Sequence, residues 1–138
     1  MKFKFSIILV FVFQITGFSQ KVDKNGLLGE WKFMNSYFGG DTIRLIKMSD
    51  TLIHKGRYYI INFENNNNFF TSKVSIPKPV CDKGGHCFPE GQYQLKENQI
   101  EFLKITEGRY SSIKCGLPKK MTYQIIESAD TLLMLKKI

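Results

Sequence analysis

RYYIINFENNNNFFTSKVSI, residues 57–76, holds a strand, a turn and a second strand in one stretch. Arg57–Phe63 is crowded with aromatic and β-branched side chains, the types that fit a pleated, half-buried surface. Glu64–Asn68 interrupts it with four consecutive asparagines. Asparagine tolerates positive φ and bonds its own backbone, so this run reads as a turn. Phe69–Ile76 then returns to strand composition. The segment is a hairpin, and the rest of the chain repeats its grammar.

Upstream, a period of two begins at Leu28. It places Trp31, Phe33 and Tyr37 on one strand face, then Ile43, Leu45 and Lys47 on one face of residues 42–48. Ser49-Asp50 reads as a turn before Thr51–Lys55, and Asn25-Gly26 as a turn signal in a polar lead-in. Downstream, residues 77–90 (PKPVCDKGGHCFPE) contain three of the four prolines and two of the three cysteines, and no regular element fits them. Gly91–Lys96 and Gln99–Ile105 form a hairpin across Glu97-Asn98. Residues 106–120 read as a second long loop with room for one short strand. Met121–Glu127 and Thr131–Lys137 form a final hairpin across Ser128–Asp130. No helical periodicity occurs after residue 20. About eight to ten short strands joined as hairpins predict an all-β fold, an antiparallel up-and-down β-barrel in a single domain. Closure would also remove the exposed edges that such apolar strands make hazardous.

Residues 1–19 read as a signal peptide. Lys2 and Lys4 supply the positive start, Phe5–Phe13 the apolar run, and Gly17 and Ser19 the small residues before a cut, so that Gln20 begins the mature domain, 20–138. The apolar run falls well short of the roughly 20 residues that span a bilayer. A lipid anchor would need a cysteine right after the cut, and the first cysteine is Cys81. The expectation is an exported, monomeric protein without a membrane anchor, periplasmic or extracellular in a Gram-negative bacterium. The leader takes two of the 20 basic residues and none of the 12 acidic ones, which leaves a net charge of +6. Exported proteins rarely meet nucleic acid, so none is expected as a partner.

Leu28-Gly29-Glu30-Trp31-Lys32-Phe33 opens the first strand. This Gly-x-Trp resembles the start of strand A in the lipocalin family and in lipocalin-like domains of exported bacterial proteins. Gly91-Gln92-Tyr93 and the closing Asp130–Leu135 strand extend the resemblance in outline over residues 27–138. The lipocalin Thr-Asp-Tyr motif is not present. The resemblance implies that Gly29 and Trp31 plug one barrel end. It also implies a binding module, not an enzyme, for a small apolar or amphipathic ligand. An eight-stranded barrel either holds one such ligand or fills with side chains. Tyr37, Tyr59, Phe63, Tyr93, Phe102 and Tyr123 are the candidate lining residues by strand alternation. The competing expectation is a structural or interaction protein of the cell envelope with a filled core.

Cys81, His86, Cys87 and Cys115 are the chemically notable cluster. The hairpin 91–105 brings the bases of the two long loops together. Cys87, four residues before it, is therefore expected to form a disulfide with Cys115, with Cys81–Cys87 the local alternative. The metal alternative takes all four side chains as a tetrahedral set, at a spacing that is not a usual zinc one. No cofactor is expected. Lys78, Lys83, Arg109, Lys114, Lys119 and Lys120 sit in the same loops and suggest a positive rim that attracts an anionic ligand or surface. His54 is isolated, and no motif of an activated nucleophile or phosphate loop occurs.

Overall fold

The computed structural model describes residues 22–49, 56–76 and 85–138. The leader, His54, Lys78, Cys81 and Lys83 lie outside the described residues. One helical turn, α1 (Lys24–Leu27), precedes eight strands. These are β1 (Gly29–Phe33), β2 (Thr42–Lys47), β3 (Gly56–Phe63), β4 (Asn68–Ile76), β5 (Pro89–Lys96), β6 (Gln99–Glu107), β7 (Lys120–Ser128) and β8 (Leu132–Lys137). They close into an antiparallel up-and-down barrel in the order β1-β2-β8-β7-β6-β5-β4-β3. From β3 to β8 each strand pairs with the next. At the seam, β1 lies between β2 and β3, so that Trp31 faces Lys47 on one side and Ile61 on the other. Simple hairpin reading pairs neighbours in sequence, and here β2 closes against β8 instead.

The 64–67 turn behaves as its asparagines predict, with Asn67 at φ 64°. The first strand is shorter than the alternation suggests. It ends at Phe33, and Asn35 at φ 48° turns the chain away, leaving Tyr37 in a loop. Residues 108–119 contain no strand. Gly29 has φ 103°, a left-handed value that glycine adopts without the penalty a Cβ imposes, and this aims Trp31 inward. Gly91 serves close approach. The register shifts between Glu90 and Gln92, and a Cβ on Gly91 would lie 2.7 Å from the Leu103 carbonyl oxygen and 2.9 Å from that of Lys104.

Alternate residues of all eight strands fill the interior. Its centre is a stack of rings. Phe102 lies 4.9 Å from Phe38, 5.0 Å from Phe69 and 5.8 Å from Tyr123, centroid to centroid. Phe63 meets Tyr93 edge-on at 5.0 Å. One end is closed by α1. Asp23 caps that turn by accepting from the Gly26 amide at 2.6 Å, and buried Leu27 points into the core. The Trp31 Nε1–H donates to the Leu27 carbonyl at 2.7 Å. The Lys47 ammonium sits 5.2 Å over the Trp31 ring and donates to the Gly26 carbonyl at 2.7 Å. The other end, where β1, β4, β6 and β8 finish and β2, β3, β5 and β7 begin, is open.

Candidate ligand cup at the open mouth

Among the described residues three segments build the mouth: 34–41, 85–88 and 108–119. In the first, the Met34 amide donates to the Arg44 carbonyl, and Ser36 bridges to the Arg44 backbone. The Tyr123 hydroxyl donates to the Gly40 carbonyl at 2.9 Å. These bonds fold the segment inward and press Phe38 onto Phe69 and Phe102. Phe38 becomes a floor that separates the packed centre from solvent.

The other two segments are tied to each other. The Ser112 amide donates to the His86 carbonyl at 2.8 Å, and the His86 amide to the Ser112 hydroxyl at 2.8 Å. The Phe88 amide donates to the Ser111 hydroxyl, and the Gly108 amide to the Phe88 carbonyl, both at 2.8 Å. Cys87 and Cys115 join covalently, with Cα atoms 5.0 Å apart across 28 residues of sequence. Thr71 anchors the base by donating to the Pro89 carbonyl at 2.9 Å.

Above Phe38 these walls enclose an open cup of about 450 Å³. Phe33, Phe38 and Thr71 form its bottom; Tyr37, Tyr59, His86, Phe88 and Leu117, with the disulfide, form its sides. The Tyr59 oxygen lies 3.5 Å from His86 Nδ1, and Lys73 Nζ lies 3.4 Å from Nε2. An ammonium only donates, so with neutral His86 the Nε2 atom accepts and Nδ1 carries the hydrogen toward Tyr59. The cup thus combines an apolar, aromatic wall with one polar corner. It has the makings of a binding surface.

Of the residues singled out by alternation, the cup contains Tyr37 and Tyr59. Phe63, Tyr93, Phe102 and Tyr123 are each 2 % exposed or less and pack against one another below the floor. Gly29 and Trp31 stand at the closed end. Cys87 and Cys115 are in the disulfide, so neither is a thiolate ligand; of the four-member metal set Cys81 lies outside the described residues, and His86 turns to Tyr59 and Lys73. Among the described residues no three His, Cys, Asp or Glu side chains converge. Phe38, Phe88 and Leu117 escape sequence reading because they sit in irregular segments without a period. The adjacency of Phe88 to Cys87 is the one local hint.

Charge is distributed along the barrel axis. Among the described residues the mouth carries Arg57, Arg109, Lys114, Lys119, Lys120, Lys136 and Lys137 against Asp41, Glu90 and Glu107. At the closed end Asp23, Glu64, Glu97, Glu127 and Asp130 outnumber Lys24, Lys47 and Lys96. The strong signs therefore separate by end. Comparison with protein-family models, curated proteins and solved structures finds no match to the chain.

Proposed function

We propose that this protein is an exported, lipocalin-like binding module that takes one small apolar or amphipathic molecule in the mouth cup, without catalysis. The observation that carries the reading is the cup itself: about 450 Å³ walled by Tyr37, Tyr59, Phe88 and Leu117 above Phe38. That volume falls in the ordinary range of ligand sites, and such sites pair apolar walls with few polar groups. The ligand sits at the mouth rather than in the barrel centre, because the ring stack occupies the centre. Export rests on the leader at 1–19 and on the disulfide, which is compatible with an oxidising compartment. N-terminal mass spectrometry of protein from the native host is expected to find Gln20 first.

The binding test uses N-phenyl-1-naphthylamine, a dye that brightens in apolar sites. Wild type is expected to enhance its emission saturably. Leu117→Trp, which fills the cup from one wall, is expected to abolish the enhancement while leaving the melting temperature close to wild type. No saturable enhancement, or equal enhancement by the filled variant, overturns the reading. A second reading, a structural or interaction protein of the envelope, is favoured by the packed ring stack and would be left standing by that result.

A further inference from the structure

The mouth presents large apolar side chains to solvent. Tyr37 is 72 % exposed, Tyr110 57 % and Ile113 51 %. Outside this end, among the described residues, the large exposed apolar side chains are single. Tyr110 and Ile113 are not on a slack loop. Ser111 and Ser112, the residues between them, bond the 85–88 segment, and Cys115, two residues on, is bridged to Cys87. The loop holds its apolar tips outward while its neighbours turn in.

Cations flank those tips. Arg109 precedes Tyr110, its guanidinium 5.9 Å from the ring centroid, and Lys114 follows Ile113. Both are exposed, as are Arg57, Lys119, Lys136 and Lys137 around the rim. The acids of this end are partly engaged: Glu90 accepts from the Arg109 amide at 3.3 Å and Glu107 from the Cys115 amide at 3.4 Å. Aromatic and branched tips amid basic side chains, at one end of a molecule whose other end is acidic, match the layered chemistry of an anionic bilayer surface. Rings enter the headgroup level, and Lys and Arg meet the phosphates. The opposite polarity of the closed end orients the molecule mouth-down in the surface field.

We infer that the open mouth is a docking face for an anionic lipid surface, with Tyr37, Tyr110 and Ile113 as the inserted tips and Arg109, Lys114 and the surrounding rim as the phosphate-facing ring. Docking shares Tyr37 with the cup wall and otherwise requires only the rim, so a filled cup leaves Arg109, Tyr110, Ile113 and Lys114 unchanged.

Vesicle flotation tests it, with phosphatidylcholine alone and with about one-third phosphatidylglycerol. The purified protein is expected to float with the anionic vesicles, to float little with the neutral ones, and to be released at about 1 M salt, where charges are screened within about 3 Å. Arg109→Glu with Lys114→Glu is expected to weaken binding about tenfold or more. Tyr110→Ser with Ile113→Ser is expected to weaken it several-fold on the same vesicles. Lys24→Glu, a charge reversal at the closed end, is expected to leave it unchanged. Circular dichroism and the intact Cys87–Cys115 bridge confirm that each variant is folded. Equal binding to both vesicle types, no binding to either, or equal loss on Lys24→Glu overturns the proposal. So does binding by glycerol phosphate in solution that removes the protein from vesicles at stoichiometric amounts, since that marks a soluble-anion site.

Discussion

Trp31 shows how one residue joins the local chain to the closed barrel. Its ring fills the closed end, 2 % exposed, and its single donor reaches the Leu27 carbonyl left over at the end of α1. Trp31→Phe keeps an aromatic ring but removes the donor and part of the volume. It is expected to cost about 2–4 kcal/mol, read as a lower denaturant midpoint at unchanged slope. Tyr123 does the same for the open end, where its hydroxyl holds the Gly40 carbonyl and so the Phe38 floor. Burial, with the nearby Asp41 charge, pushes its ionisation up to about 12 from an ordinary 10.0. The folded state holds this proton more tightly than the unfolded chain does. Its contribution to stability is therefore complete below pH 10 and is lost as pH rises toward 12. Tyrosinate absorbance is expected to show a late step near pH 12 in the wild type, absent in Tyr123→Phe.

At the scale of the element, β5 and β6 carry the barrel's sharpest local demand. The bulge opposite Gly91 lets the two backbones approach closer than a side chain allows. Gly91→Ala must push backbone carbonyls rather than a flexible side chain. A loss of about 2 kcal/mol or more in thermal or denaturant unfolding is expected. On the outer face of the same pair, Glu101 accepts from Gln94 and meets Lys96 at 3.0 Å and Lys120 at 3.6 Å, linking β5, β6 and β7. The hydrogen bond from Lys96, then that from Gln94, holds its carboxyl below its ordinary 4.5. The stabilisation it brings is present above that value and fades as pH falls through the lowered one. Glu101→Gln is expected to flatten the acid limb of the stability–pH curve by lowering stability at neutral pH toward its acid value.

For the whole molecule, the disulfide decides how firmly the mouth is built. It closes a 28-residue separation that already contains the β5–β6 hairpin, so the barrel does not depend on it to find its register. Reduction is expected to lower stability by about 2–4 kcal/mol while far-ultraviolet circular dichroism keeps its strand signature. Hydrogen exchange is expected to speed up at residues 85–88 and 108–117 and not at α1. Non-reducing peptide mapping is expected to recover a Cys87–Cys115 peptide. The axial separation of charge is also a property of the whole: scattered in sequence, the basic residues collect at one end because the 108–119 segment and the mouth-side ends of β3, β7 and β8 meet there.

Local patterns along the chain specify the strands and most of their partners. Alternation and turn chemistry act between neighbours, so the hairpins at 57–76, 91–105 and 121–137 were legible residue by residue, and with them an all-β barrel. Even the Cys87–Cys115 pairing follows from a local cause, the hairpin that brings two loop bases together. Long-range packing alone sets the seam, where β1 enters between β2 and β3 and β2 meets β8. That choice depends on closing a ring of eight strands, and no short-range pattern carries it. It also decided the interior. Phe38 comes from an irregular segment with no period to announce it, yet it seals the centre and makes Phe63, Tyr93, Phe102 and Tyr123 a core instead of a pocket lining. Tyr37, in phase with Trp31 and Phe33, was turned out to the rim once Asn35 broke the strand. Side-chain period reports which residues share a face, but whether that face meets packed rings or open space is set by what distant segments bring to it.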